Sequence, residues 1–440
     1  GSRTVSDGMV PAVGGGRTRF ARNRPMLRGW TRLRGRTRMG SRPINQGRWR
    51  PAPVPVRGAD DDSLWADRSS VGHVMTAPRT PSGPTTRGVD PENLMAFVLR
   101  AVTEVGAALN AALVVMGDRL GYYRSLAAHG ASTPAELAER TGTDEHYARE
   151  WLNAQAAGAF VSYDPTTGRY LLPPEHAEAL TDETSPAFVG GLFQIAHGTV
   201  CDTASILEAA RTGGGVGWGD HNADVHIGCE RFFRPTYHAH LLAEWLPALD
   251  GVLDKLTAGA SVADVGCGHG ASTRLMAEAF PRSTFQGSDV HAPSIEVARQ
   301  RAAGTGPDAV RNIAFETAGA DAVAGGPYDL ITMFDCLHDM GDPVGAARHL
   351  REVIADDGTW MIVEPAAGDR VEDNLTPIGR AYYGFSTLLC TPASLSQPVG
   401  LALGTQAGPA RIREVVTAAG FTRFRLVADT PFNNVFEVRP

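Results

Sequence analysis

Lysine is all but missing from this chain of 440 residues: Lys255 is the single one among 41 basic side chains, so positive charge is carried by arginine. No mechanism follows from that bias. Cysteine is sparse as well. Cys201, Cys229, Cys267, Cys336 and Cys390 lie far apart, form no C-x-x-C pair and are odd in number. That argues against a disulfide framework and a zinc knuckle, and predicts buried reduced thiols. Long apolar runs are lacking too: none approaches the ~18 residues of a membrane span, and no charged-then-apolar signal segment opens the sequence. A cytoplasmic protein with no membrane partner is expected. The hydrophobic share of 43% and charged share of 20% fit a globular protein, and the length suits two domains plus a tail.

Charge is divided unevenly. Residues 1–88 hold seventeen arginines and five aspartates, a net of about +12, so the remaining 352 residues carry about −19 to give the overall −7. The basic stretch is rich in Arg, Gly and Pro and has no sustained apolar period, which predicts a disordered tail. Gly1-Ser2 has the look of a cloning remnant, and Met75-Thr76-Ala77-Pro78 would make an ordinary start. The functional alternative for the tail is an arginine-rich arm for nucleic acid.

What the chain does have is a glycine turn. Residues 262–265 read as a short apolar strand carrying Asp264. Gly266, Gly268 and Gly270 follow at alternate positions, and a helix is expected over 272–280. Glycines so spaced let the backbone turn tightly and let a ligand lie against bare main chain. The helix start adds its unpaired N–H groups. Two ligand classes use such a turn. Residues 266–271 formally satisfy a dinucleotide fingerprint, with Asp289 at the ribose distance after a strand at 283–289. A pyrophosphate, however, wants cations near the turn, and the nearest, Arg274, is already inside the helix. A carboxylate at the strand end suits a ligand with an ammonium group, such as S-adenosylmethionine.

The pattern acid-x-Gly-x-Gly-x-Gly at 264–270 resembles the first motif of class I S-adenosylmethionine-dependent methyltransferases. The flanking segments extend that likeness. A helix is expected from Pro91 to about residue 120. A short capped helix follows at 132–142, then one capped by Asp144 and ending at Gly158, then strands at 160–163 and 169–172 around the turn Asp164-Pro165-Thr166-Thr167-Gly168. Helix, turn, helix and hairpin look like a winged helix. Its second helix offers Arg149 against Asp144, Glu145 and Glu150, too few cations to read DNA. Small-molecule O-methyltransferases carry a similar domain for dimerisation, so the resemblance implies a homodimer.

Residues 185–256 read as helices joined by the glycine-rich 213–219, a hinge for a lid or a snug turn. His238 and His240 do not face each other on a helix, so no metal site is expected there. Beyond the glycine motif, strands at 283–289, 313–316, 328–334 and 359–364 alternate with helices at 294–303 and 344–354. Such alternation predicts an α/β fold, a Rossmann-like parallel sheet with helices on both faces and ligands at the strand ends. Residues 365–405 show no clear period and are expected to cover the pocket. A helix at 410–419 and strands at 421–427 and 434–438 close the sheet, as in the methyltransferase family.

The resemblance assigns roles residue by residue. Asp264 with the Gly266, Gly268 and Gly270 backbone would hold the methionine end of S-adenosyl-L-methionine. Asp289 would take the ribose hydroxyls, Asp321 would lie near the adenine amino group unless it is a loop cap, Tyr237 would contact the cofactor unless it is a core or surface tyrosine, and Phe334 would contact the cofactor. Residues 334–342, Phe-Asp-Cys-Leu-His-Asp-Met-Gly-Asp, resemble the Leu-His-Asp-Trp-x-Asp stretch of small-molecule O-methyltransferases. His338 would then be the general base, able to accept a proton near neutrality, and Glu364 would orient it. Met340 replaces the usual tryptophan, and Pro409 stands where a second family acid is expected. The expected domains are a tail at 1–88, a winged helix at 89–184, a helical linker and lid at 185–256, and the cofactor domain at 257–440. Two other readings stay open: a winged-helix regulator that senses the cofactor or a metabolite, and an NAD-dependent oxidoreductase.

Overall fold

The computed structural model describes residues 88–304 and 310–440, so the expectation for the arginine-rich tail lies outside the described residues. Asp90 caps the first helix, α1 (Pro91–Arg119), by accepting the Glu92 and Asn93 N–H groups, with Pro91 at its first position. Only Val114, Val115 and Gly117 of α1 are buried, whereas Leu94, Phe97, Leu99, Val102, Val105 and Leu109 are exposed. An 18-residue window of α1 has a mean hydropathy of 1.6, enough by length and composition for a bilayer span. That corrects the expectation that no stretch of this kind exists: scattered charges hid it from a search for unbroken apolar runs.

A helix not foreseen, α2 (Tyr122–His129), precedes α3 (Pro134–Thr141), α4 (Glu145–Ala157) and a two-stranded wing, β1 (Ser162–Asp164) and β2 (Arg169–Leu171). Thr133 and Glu136 form a capping box on α3, and Glu136 also pairs with Arg169, tying the helix to the wing. Trp151, Tyr122 and Tyr123 pack edge to face at 4.9 Å in this core, where the Trp151 indole donates to Leu113 O. Arg149, the cation of α4, pairs with Glu145.

Helices α5 (Pro174–Thr181), α6 (Gly190–Cys201), α7 (Thr203–Thr212) and α8 (Ala223–Thr236) follow; a π-helical segment, Tyr237–Trp245, and α9 (Val252–Ala258) complete the linker. Partly buried ion pairs and hydrogen bonds tie α8 to α1 and its neighbours: Arg231 reaches Asp118 and Glu183, and Asp224 takes Arg119, Gln194 and His197.

The rest of the chain is β3 (Ser261–Val265), α10 (Ala271–Ala279), β4 (Thr284–Asp289), α11 (Ala292–Ala302), β5 (Ile313–Thr317), β6 (Tyr328–Phe334), α12 (Pro343–Val353) and β7 (Ile354–Pro365). Helices α13 (Pro377–Phe385), α14 (Thr391–Leu395) and α15 (Pro409–Ala418) come next, then β8 (Arg423–Asp429) and β9 (Asn433–Arg439). Seven strands form one sheet in the order β5-β4-β3-β6-β7-β9-β8, parallel except for β9 and β8. The expected α/β fold is thus the observed one. Side chains fill both faces: Ile331, Trp360, Ile412 and Phe436 on one, Trp245, Leu330, Met361 and Val363 on the other. Because the chain order reverses at β3, with β4 on one side and β6 on the other, a crevice opens at the carboxyl ends of β3 and β6.

Candidate active site

That crevice is a cavity of about 610 Å³. One wall is the β3–α10 turn, where Gly266 N–H and Cys267 N–H both donate to Ser288 O at the end of β4. Gly268 N–H donates to Asp289 Oδ2 at 2.9 Å and His291 N–H to Oδ1 at 2.8 Å, so the carboxylate is held at both ends. Gly268 has φ +52 and open space where a Cβ would sit, leaving bare main chain on the cavity. Burial raises the Asp289 carboxyl above its ordinary range, against the pull of those two N–H groups. Val290, Ala318 and Ala320 line the adjoining stretch, with Asp321 exposed at the rim.

Tyr237 and Phe334 also line the cavity, their rings 4.9 Å apart. Of the expected cofactor residues, the structure brings together Tyr237, Gly266, Gly268, Asp289, Asp321 and Phe334.

Asp264 and Gly270 do something else. The Asp264 side chain is fully buried: Ser272 and Thr273 in the first turn of α10 donate to Oδ2 at 2.7 and 2.6 Å, and Thr332 of β6 donates to Oδ1 at 2.9 Å. Burial raises its carboxyl, partly offset by those hydroxyls. The expectation that this carboxylate meets the ligand is therefore corrected: the hydroxyls beneath it draw the side chain inward, where it pins α10 to β3 and β6. At Gly270, with φ +74, a Cβ would run into the Phe315 ring and Ala298, so glycine serves packing under α11.

His338 and Glu364 sit behind the wall. His338, 3% exposed, has Nδ1 at 2.5 Å from Glu364 Oε2, while Glu364 Oε1 accepts the Leu337 N–H at 3.0 Å. The other ring nitrogen, Nε2, lies 3.3 Å from Asp339 Oδ1, and it is Asp339 that lines the cavity. Burial opposes charge on His338, yet the Asp339 and Glu364 carboxylates outweigh it and hold the imidazolium well above its ordinary value. Burial also raises Asp339 and Asp335, and Asp335 Oδ1 is held by Asn433 at 2.8 Å.

Several lining residues escaped the sequence analysis. Asp335 and Asp339 flank the expected histidine, with Asp335 at φ +50, and each leaves one buried oxygen without a partner. Trp218 and His226 come from the linker: His226 stacks on His291 at 4.4 Å and meets Trp218 edge-on at 5.2 Å. Burial, then His291, His221 and His269, pull His226 down to about 4. No spacing in the sequence links these positions.

The stretch 365–405 does cover the cavity, but through structure its sequence concealed: α13, a π-helical turn, Ser386–Cys390, and α14. Ala393, Gln397, Pro398 and Val399 form the roof. It is tied down by Ser394 Oγ donating to Met340 O and Gly341 N–H donating to Gln397 Oε1. The glycine-rich 213–219 is a snug turn. A Cβ on Gly215 would fall on the Ser396 nitrogen and Pro392 oxygen, and Val216 N–H donates to Pro392 O at 3.0 Å.

The fold is that of a methyltransferase domain. Residues 263–360 match the Methyltransferase domain family and residues 107–182 match the Rv2258c-like winged HTH domain. A curated relative, 2-methyl-6-phytyl-1,4-hydroquinone methyltransferase of Synechocystis sp., is 27% identical over 155 residues; the match takes in 33% of this chain and 45% of the relative, so the chain spans about half of that protein's length. Human N-acetylserotonin methyltransferase in complex with SAM superposes with a TM-score of 0.56 at 14% identity, covering 78% of this chain and 97% of the other. An O-methyltransferase from neocarzinostatin biosynthesis, in complex with SAM and 2-hydroxy-5-methyl naphthoic acid, gives 0.54 at 18% identity, covering 78% and 98%. At such identities the likeness is one of fold. The chain carries a methyltransferase domain behind a winged helix-turn-helix domain.

Proposed function

We propose that this protein transfers a methyl group from S-adenosyl-L-methionine to a hydroxyl of a small molecule. The observation that carries the reading is the cavity at the β3–β6 switch point. There a doubly anchored Asp289 stands beside the bare Gly268 backbone, in a wall that includes the side chains of Asp289, Asp321, Asp335 and Asp339 and the guanidinium of Arg348. Asp289 keeps a lone pair on each oxygen for two adjacent ribose hydroxyls. A carboxylate-rich wall suits an ammonium and a sulfonium and opposes a pyrophosphate, which weakens the dinucleotide reading. When bound, the cofactor supplies an electrophilic methyl group for in-line displacement.

The chain's own residues orient the acceptor and take its proton. On this reading Cys229, Phe233, Met340 and Val399 shape the acceptor end. The hydroxyl proton passes by way of Asp339, which lines the cavity, to His338, which is the base in its neutral form, the form the flanking carboxylates make scarcer near neutrality; Glu364 fixes its tautomer through Nδ1. Asp264 and Gly270 act indirectly, by setting the turn that the cofactor rests on. The test is calorimetry with S-adenosylhomocysteine: the native protein should bind it and Asp289→Ala should not. Absence of binding by the native protein would remove the reading.

We also propose a cytoplasmic homodimer formed through α1. Its exposed apolar residues recur along one stripe, and interspersed Arg100, Glu104 and the Arg380–Glu104 pair favour a protein partner over lipid. We likewise propose a winged-helix domain at 89–184, a helical linker and lid at 185–256 and a cofactor domain at 257–440.

A further inference from the structure

Behind the cavity wall three metal-ligand side chains of different kinds meet: the imidazole of His338, the carboxylate of Asp339 and the thiol of Cys390. One ligand atom from each lies within 4.8 Å of the other two. His338 and Cys390 are 3% exposed, and Asp339 opens the group to the cavity. We propose that these three residues bind a thiophilic divalent cation of the zinc type, and that its occupancy blocks methyl transfer. The second half rests on His338 being the base.

Four features of the site support it. First, His338 Nδ1 is already committed to Glu364 at 2.5 Å, which leaves Nε2 as the outward nitrogen. A histidine ligand whose other ring nitrogen is held by a carboxylate is the usual support of a protein-bound zinc ion. Second, Asp339 Oδ1 is buried without a hydrogen-bond partner and lies 3.3 Å from His338 Nε2. The edge of a tetrahedral zinc site with ordinary bond lengths is about 3.3 to 3.7 Å, so this pair is already spaced for a shared ion. Third, Cys390 ends the π-helical turn Ser386–Cys390, a wide turn of the kind that recurs at functional sites. Closing the remaining gap asks for a side-chain shift of about 1 Å, judged from the same bond lengths. Fourth, three protein ligands with a cavity on the open side leave a fourth position for water or another small ligand.

Binding would release to solvent the Cys390 thiol proton and the proton that the flanking carboxylates hold on His338, since the thiolate and the neutral imidazole are the ligands. The ion would take the Nε2 lone pair and the Asp339 oxygen, the two atoms that the acceptor's proton needs. Cation and proton therefore compete for one pair of atoms. Sequence alone conceals the group, because Cys390 stands far along the chain from the adjacent His338 and Asp339 and no ligand spacing is formed.

The experiment is a cobalt(II) titration of the full chain, read by absorbance. One equivalent should produce a thiolate-to-cobalt charge-transfer band with tetrahedral ligand-field bands, and zinc should displace them. Cys390→Ser, which keeps the side chain's size, should lose the charge-transfer band, and Asp339→Asn should weaken binding at least 10-fold. Circular dichroism and S-adenosylhomocysteine affinity report whether each variant is folded. Absence of the band, or its persistence in folded Cys390→Ser, overturns the site. Zinc binding that leaves turnover unchanged overturns the block. Failure to bind S-adenosylhomocysteine would instead remove the methyltransferase reading, while the cobalt spectrum decides the metal site by itself.

Discussion

Glu364 serves two donors at once, His338 Nδ1 through Oε2 and the Leu337 N–H through Oε1. The carboxylate thus fixes both the imidazole and the backbone turn that carries it. Glu364→Gln offers one acceptor oxygen where two are needed, so His338 loses its fixed tautomer. We expect S-adenosylhomocysteine affinity to be retained and turnover to fall by roughly 100-fold or more. The readout is calorimetry beside an S-adenosylhomocysteine-release assay across candidate phenols and alcohols. Normal turnover would show that Glu364 does not position the base.

Asp264 should matter for stability before affinity. Removing its carboxylate in Asp264→Ala leaves the Ser272, Thr273 and Thr332 hydroxyls buried without their acceptor. The expected loss is about 3 kcal/mol or more in urea unfolding. The folded variant should still bind S-adenosylhomocysteine. A large affinity loss at unchanged stability would place Asp264 against the ligand after all.

His226 gives a pH dependence with a definite sign. Burial lowers it from 6.5 to about 4 in the folded chain, so the unfolded state takes up its proton first as the solution is acidified. Stability from this group is fully present above pH 6.5 and is lost as pH falls from there toward about 4. Allowing for its partial exposure, the loss is on the order of 2 kcal/mol. His226→Phe should flatten the fall in melting temperature over that interval. An unchanged slope would show that His226 does not set it.

The α1 stripe predicts an assembly. Leu99→Asp combined with Val102→Asp should halve the mass seen by light scattering and leave cofactor affinity intact. Flotation of the native protein with liposomes, in place of dimerisation, would instead assign the stripe to lipid.

How far the sequence could be read follows from what each segment's neighbours demand. β6 was expected at 328–334 and runs Tyr328–Phe334, because an apolar strand buried on both faces announces itself. β7 was expected only from 359, since Asp356-Asp357-Gly358 reads as a turn; the chain instead pairs Ile354 with Tyr328 and continues past an irregularity in register. The helices of 365–405 were not visible because each is short and the run is interrupted: α13 gives way to the π-helical turn Ser386–Cys390, and α14 covers only Thr391–Leu395. At the site, the glycine turn and Asp289 were legible because backbone geometry dictates residue type there. Asp335, Asp339, Trp218 and His226 were not, because only the tertiary fold brings them together. Asp264 was legible as important and misread in direction, since one sequence cannot say which way a strand-end carboxylate will turn.

The backbone contact between Gly215 and the Pro392–Ser396 peptide units bears on how substrate scope could be altered. A glycine pressed against another segment's main chain has no side chain whose rotation could absorb a displacement. Trp218 at one end of that crossing and Val399 at the other are consequently parts of one rigid frame. Enlarging the acceptor chamber would require redesigning both segments together, and grafting either one alone from a relative would jam the frame rather than widen it.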